Sequence, residues 1–232
     1  MDDRFSTCSV ADVAVDIKTE TDYERDRADE LNDEAEIIED FVAEVGPDDV
    51  VLDVGANVGL YSLFAAARGA TAIAVEPYPA NLDSLHVNIE QNDLEVTVIE
   101  GALTDEAGEK ELYVAAEEAG AGTHTFAPNQ VSEMTITVPT FTADGLIEAG
   151  TIPKPTIAKL DVQGSEYLVL DGMRETVADT QLRTIYCELH PEQVERIGGS
   201  AEAVESLLET AGFDLEMLVD KADVTWNIKA TR

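Results

Sequence analysis

The chain of 232 residues is 44% hydrophobic and carries 49 acidic against 14 basic residues, a formal net charge of −35. That length supports one sizeable core, and the acidity excludes an overall field that attracts nucleic acid or an anionic membrane. No apolar run of about 18 or more residues is present to span a bilayer, and no apolar stretch follows Met1-Asp2-Asp3-Arg4 as in a secretory leader, so a cytoplasmic protein is expected.

Val13, Val15 and Ile17 alternate, which predicts a short strand or hairpin within residues 5–17. Residues 19–33 are polar and read as a loop, so residues 1–32 form an N-terminal extension. Ile37, Ile38, Phe41, Val42 and Val45 recur at helical spacing over residues 33–45, and Gly46-Pro47 stops that helix. Strands and helices then alternate: strand 50–54, helix 58–68, strand 72–75, helix 79–91 and strand 96–99. A βαβαβ series implies a parallel sheet with right-handed crossovers. Residues 101–139 break the rhythm with the small-residue loop Glu117-Glu118-Ala119-Gly120-Ala121-Gly122 between β-like pieces, an insertion at about 104–140. Helix 142–149, strand 156–162, helix 166–177, strand 184–189 and helix 201–211 follow, and segments 213–219 and 224–228 can close as an antiparallel hairpin. Residues 33–232 thus read as one domain.

The chemistry starts at Asp53-Val54-Gly55-Ala56-Asn57-Val58-Gly59, directly after a buried strand and at the opening of a helix. Glycine there lets the backbone approach a bound nucleoside, at the strand edge where open α/β sheets bind ligands. The three-glycine pattern that cradles a pyrophosphate is broken by Asn57, and the acid Asp53 suits an ammonium, such as the one on S-adenosylmethionine, better than a phosphate. Glu76 ends the second strand about 20 residues on, where a carboxylate accepts hydrogen bonds from ribose hydroxyls, and Pro77 stops the strand. A lone acid there would be a solvated strand end; its pairing with the glycine loop favours a ligand. Asp161 closes the strand 156–162 and points into the same crevice, or serves as a helix N-cap.

Asp53-Val-Gly-Ala-Asn-Val-Gly-Leu-Tyr-Ser62, Val75-Glu-Pro77, Glu100-Gly-Ala-Leu103 and Lys159-Leu-Asp-Val-Gln-Gly-Ser-Glu-Tyr167 together resemble the FkbM family of methyltransferases, over about residues 33–190. The first motif is common to many methyltransferases; the last, followed by Leu170-Asp-Gly172, is more specific. Many family members have Glu where this chain has Gln163. The resemblance implies a Rossmann-like seven-stranded α/β fold, mostly parallel with a C-terminal antiparallel hairpin. It implies S-adenosylmethionine as cofactor and methyl transfer mostly to oxygen, often a hydroxyl of a sugar or small molecule. By the same resemblance Gly55, Ala56, Asn57, Gly59, Glu76 and Pro77 would bind the cofactor, Ala102 and Leu103 would flank the adenine, and Asp161 would sit near the amino-acid end or the methyl group.

An alcohol acceptor calls for a base. Alternation places Glu188 and His190 on one side of the strand end, and the family often has a similar Glu-x-His; His190 is the expected base or substrate contact, oriented by Glu188. His124, in the insertion, is a second candidate, and Glu166 could line the acceptor pocket. His86 lies among Leu82, Leu85 and Ile89 and is read as outside the site. Asp161, Glu188 and His190 could instead hold a divalent metal, but the Asp-Asn pair of catechol-type enzymes is lacking, so none is expected. Nor does the Asn-Pro-Pro-Tyr motif of amide-nitrogen methyltransferases follow the fourth strand.

Only six of the 14 cations are lysines, and acids such as Glu36, Glu39, Glu44, Glu95, Glu106, Glu117, Glu202, Glu205 and Glu209 are dispersed along the chain. Such a coat suits a cytoplasm at molar salt, where the Debye length shrinks to about 3 Å and repulsion is screened. Cys8 and Cys187 lack metal-ligand spacing and read as buried, reduced thiols. Two competing functions remain: an NAD-dependent oxidoreductase, disfavoured by the missing middle glycine and the Asp161 block, and a non-catalytic nucleotide-binding domain.

Overall fold

The computed structural model describes residues 4–29, 34–127, 134–220 and 225–232. Strands β1 (Phe5–Val10) and β2 (Val13–Lys18) pair as an antiparallel hairpin. Helix α1 (Asp22–Asp29) lies where a loop was expected. The reason is a capping box: the Thr21 hydroxyl accepts the Glu24 N–H at 3.0 Å, and Glu24 Oε2 accepts the N–H groups of Glu20 and Thr21 at 2.8 and 2.9 Å. Residues 30–33 of the expected loop lie outside the described residues. Helix α2 (Ala35–Glu44) presents Ile37, Ile38, Phe41 and Val42 to the core, as its spacing predicts.

The alternating units follow: β3 (Val50–Val54), α3 (Leu60–Ala67), β4 (Thr71–Glu76), α4 (Pro79–Gln91) and β5 (Val96–Glu100). The insertion folds as a three-stranded sheet of β6 (Ala102–Leu103), β7 (Gly108–Tyr113) and β8 (Thr135–Phe141), with residues 128–133 outside the description. After α5 (Ala143–Glu148) come β9 (Ile157–Leu160), α6 (Glu166–Asp171), α7 (Arg174–Ala178), β10 (Thr184–Leu189), α8 (Pro191–Arg196), α9 (Ala201–Thr210), β11 (Asp214–Asp220) and β12 (Trp226–Thr231). The main sheet has seven strands in the order β11-β12-β10-β9-β3-β4-β5. Only β12 runs antiparallel to its neighbours, so the expected α/β architecture and C-terminal hairpin are present.

The central strands are buried on both faces, which explains their continuous apolar runs. One face packs Leu52, Leu160 and Ile185 against α6, α7 and α9. The other packs Val51 and Ile157 against α2 and α3, and here Cys8, Val10, Val15 and Ile17 of the hairpin enter the same core. The N-terminal extension is therefore built into the domain rather than appended to it.

Three further elements differ from the sequence reading. The expected helix 166–177 is two helices, because Gly172 presses on the insertion: a Cβ there would fall 1.9 Å from the Thr104 carbonyl oxygen. Asp144 caps the second, accepting the N–H groups of Glu175 and Thr176 at 2.9 Å each. Helix α8 was not foreseen; it starts with Pro191 at its first position, a favoured place for proline. The last strand begins at Trp226 and runs to Thr231, whereas Val224, the expected start, lies outside the described residues. Replacing Gly172 with Ala forces these backbones apart, and a destabilisation of about 1–3 kcal/mol is expected. Urea denaturation checks it; an unchanged midpoint would show that the contact yields freely.

Candidate active site

The carboxyl ends of β3, β4 and β9 and the turns after them surround a cleft, the place where open α/β sheets bind ligands. Its floor is the turn after β3. Gly55 sits at φ +80°, and a Cβ on it would fall 1.9 Å from the Asp161 carbonyl oxygen. Only glycine permits that approach. Asn57 also has a positive φ, 54°; its N–H donates to Glu76 Oε2 at 2.8 Å and its amide nitrogen to the Gly120 carbonyl at 3.2 Å.

Glu76, Pro77, Ala102 and Leu103 line the next wall. Glu76 is 4% exposed. Its Oε1 accepts the Tyr78 N–H at 2.9 Å and the Asn81 amide at 3.2 Å. Burial outweighs these bonds and pushes its pKa up to about 7.

The insertion roofs the cleft. The Gly120 carbonyl accepts Arg27 Nε at 3.1 Å besides Asn57, and the Gly120 N–H donates to Asn81 Oδ1 at 2.8 Å. The Tyr78 hydroxyl donates to the Glu117 carbonyl at 2.9 Å, and the Thr125 hydroxyl to the Gln163 carbonyl at 2.6 Å. His124 lines the cleft, with its ring centroid 4.1 Å from that of Tyr78. The Ala115 N–H donates to its Nδ1 at 3.3 Å, so the ring proton sits on Nε2. Burial lowers its pKa to about 4. His124 is thus a neutral donor and no base.

Asp161 lines the far end. Burial works against its charge, but Lys159, His190 and Arg27 together hold its pKa down to about 2. Lys159 Nζ lies 3.4 Å from Asp161 Oδ2 and 4.8 Å from the centre of the Tyr61 ring. Burial opposes that ammonium too, yet Asp161, Asp53, Glu34 and Glu188 push it up to about 12.

Residues 53–215 match the methyltransferase FkbM domain family. The chain belongs to the FkbM methyltransferase family. Among its relatives is a Haloferax volcanii protein named hexuronic acid methyltransferase AglP, 30% identical over 81% of this chain and 73% of that protein. Another is the 31-O-demethyl-FK506 methyltransferase FkbM of Streptomyces tacrolimicus, 39% identical over 30% of this chain and 27% of that protein. Among solved structures, a methyltransferase FkbM from Methylobacillus flagellatus superposes with a TM-score of 0.54 at 14% identity, covering 90% of this chain and 55% of the other. A precorrin-6y C5,15-methyltransferase from Geobacter metallireducens does so at 0.52 and 13% identity, over 85% and 88% of the two chains.

In this FkbM methyltransferase the cleft collects Gly55, Asn57, Glu76, Pro77, Ala102, Leu103, His124 and Asp161 of the sequence-predicted residues. Others stand behind it. Ala56 and Gly59 shape the turn; Gly59 sits at φ +95°, in the left-handed region that favours glycine. Asp53 is a correction: it is 1% exposed and accepts the Ser62 N–H and hydroxyl at 3.0 and 2.6 Å, which turns it toward α3 instead of a ligand. Burial raises its pKa against the opposing charge of Lys159.

Glu166 is a second correction. It is fully buried and does not line the pocket; its Oε1 accepts the Gly164 N–H at 3.0 Å and lies 2.8 Å from His190 Nδ1. Glu166 therefore orients His190. Burial disfavours the His190 imidazolium, but the bond to Glu166 and the charges of Glu166, Asp161 and Glu188 raise its pKa to about 9. This shift favours the charged ring and works against the expected role of base. One ligand atom each of Asp161, Glu188 and His190 lie within 4.8 Å of one another, a spacing that would suit a cation, and Lys159 already balances the Asp161 charge.

Sequence reasoning missed Lys159, Asn81 and Arg27. Lys159 was legible, since alternation sets it on the same side of the strand as Asp161. Asn81 and Arg27 carry no local signal; only the fold brings them to the roof. The pairing predicts that His190 titrates near pH 9 by nitrogen-edge NMR, and that Glu166→Gln, by removing the carboxylate that stabilises the imidazolium, lowers that value toward the ordinary 6.5. A titration unmoved by the substitution would remove Glu166 from this role.

Proposed function

We propose that the chain transfers a methyl group from S-adenosylmethionine to a hydroxyl of a sugar in a glycan. Glu76 carries this reading: a buried carboxylate at the end of β4, on the wall of a cleft whose floor is a glycine turn, suits the paired hydroxyls of a ribose. Among the described residues, three buried atoms on cleft-lining residues lack a protein partner, Asn57 Oδ1, His124 Nε2 and Ser165 Oγ, so the cleft offers both donors and acceptors to a polar ligand. The apolar wall of Ala102, Leu103, Leu112 and Phe126 suits an adenine ring. No pyrophosphate cradle of three glycines is present, which disfavours NAD. The sugar class is inferred from the Haloferax relative, whose name specifies a hexuronic acid.

The cofactor supplies an activated methyl on a sulfonium centre, and the chain's residues align and desolvate the acceptor. Asp161, held near a pKa of about 2, is too acidic to take the hydroxyl proton and suits the cofactor's ammonium. His190 is protonated at neutral pH. Glu188, half-buried at the end of β10 and held by Thr225 Oγ1 at 3.3 Å, is the carboxylate left to accept that proton. Glu188→Gln should lower kcat about 100-fold while S-adenosylhomocysteine binds as before; an equal loss of both would reassign Glu188 to structure.

Ribose hydroxyls stabilise the ionised form of Glu76, so its pKa falls on binding and a proton is released. Calorimetry should find affinity for S-adenosylhomocysteine rising with pH up to about 7 and level above it, with NAD not bound. Glu76→Gln should bind more weakly and without the rise. A wild-type chain that binds NAD but not S-adenosylhomocysteine would discard the proposal.

The acidic coat is assigned to molar salt: Glu36, Glu39, Glu95, Glu106, Glu117, Glu202 and Glu209 are exposed, and Glu44 and Glu205 half-buried. The thermal midpoint should climb between low and molar KCl as self-repulsion is screened; a flat midpoint would refute halophilic adaptation.

A further inference from the structure

The N-terminal helix α1 lies outside the matched segment 53–215, yet it packs against the roof of the cleft. Arg27 Nε donates to the Gly120 carbonyl at 3.1 Å. A Cβ on Gly122 would fall 1.7 Å from Arg27 Nη2 and 3.4 Å from Asn57 Nδ2, so the guanidinium packs against the roof, directly behind a glycine that lines the cleft. Gly122, Asn57 and Asp161 all line that part of it.

We propose that Arg27 binds the α-carboxylate of the cofactor's methionine portion while Asp161 takes its α-ammonium, so that helix α1 completes the cofactor site. This rests on the assignment of S-adenosylmethionine made above. The amino-acid portion carries two opposite charges on one carbon atom, and both lose water on binding. Asp161 answers the positive one. The negative one needs a cation or N–H groups close to Asp161, and the planar guanidinium matches a carboxylate with paired donors. The Arg27 charge is felt at Asp161, where it contributes to the lowered pKa, which sets the two groups within electrostatic reach. Arg27, Lys159 and His190 all stand behind the lining: Arg27 behind Gly122 at the roof, Lys159 beside Asp161 and His190 beside Glu166.

Helix α1 is held without Arg27. Glu24, fully buried, accepts the Ser84 hydroxyl at 2.5 Å, and the Thr21 hydroxyl donates to the Ala119 carbonyl at 2.7 Å. Substituting Arg27 therefore leaves the helix seated.

The test is calorimetry of the full chain with two probes. S-adenosylhomocysteine carries both charges of the amino acid; 5′-methylthioadenosine carries neither. Arg27→Met should weaken S-adenosylhomocysteine about tenfold or more, leave methylthioadenosine within about twofold, and Arg27→Lys should recover part of the loss. Unchanged methylthioadenosine affinity also reports an intact fold. Equal weakening of both probes would mean that Arg27 only holds the roof, and no weakening of either would remove it from the site; each outcome overturns the proposal. If the wild-type chain binds methylthioadenosine but not S-adenosylhomocysteine, the charge pair is refuted while the nucleoside site stands. If it binds neither, the cofactor assignment fails and the proposal with it.

Discussion

Strands β3 and β9 run so close at their carboxyl ends that no side chain fits between Gly55 and the Asp161 carbonyl, while the Asp161 N–H reaches back to the Val54 carbonyl at 3.0 Å. This contact fixes where the turn after β3 lies relative to Asp161. The turn in turn presents the Asn57 N–H to Glu76, which ties the third strand end, that of β4, to the first. Three strand ends that belong to separate βα units are thus registered through one missing Cβ. A larger residue at position 55 would splay β3 from β9 and move Glu76 and Asp161 apart, since both are positioned through that turn.

The second dependency is electrostatic. Lys159 stands on the α3 side of the sheet, between Asp53 and Asp161, and its ammonium stays charged because these carboxylates outweigh the cost of burial. A buried ion pair of this kind adds little net stability. Its consequence is local: Asp161 remains ionised on the wall of the cleft, within a chain whose net charge of −35 would otherwise favour its protonation. Glu166 does the same for His190 from the opposite side of the sheet edge, at 2.8 Å. The site therefore presents fixed charges of known sign before any ligand arrives, which is what preorganisation requires.

Much of this was legible in the chain. The apolar strands and the helix spacings set the sheet, because strands buried on both faces must be apolar throughout and helices show their period. Gly55, Glu76 and Asp161 were found because each ends a strand. What was lost depended on direction or on distance. Asp53 also lies near a strand end, but its side chain is on the face where Ser62 of α3 meets it. Glu166 was placed in the acceptor pocket because it follows Asp161; the turn through Gln163 and Gly164, both at positive φ, carries it beneath the sheet edge to His190. The polar stretch 19–33 read as a loop because α1 buries little apolar surface, although Thr21 and Glu24 spelled a capping box. Arg27 meets Gly120 across 93 residues, a contact no local pattern encodes.

That last contact bears on how the roof over the cleft is held. The roof is built from the insertion and the N-terminal segment. These two interlock: a Cβ on Gly120 would fall 2.6 Å from the Glu24 nitrogen, and the Thr21 hydroxyl holds Ala119. The roof cannot lift without disturbing α1, and α1 is anchored through Ser84 to α4. Substitutions in either segment therefore propagate to the other, and an acceptor that displaces the roof must work against both sets of bonds. The roof is thus a junction of two segments far apart in sequence, while the motifs shared with the family specify the floor beneath it.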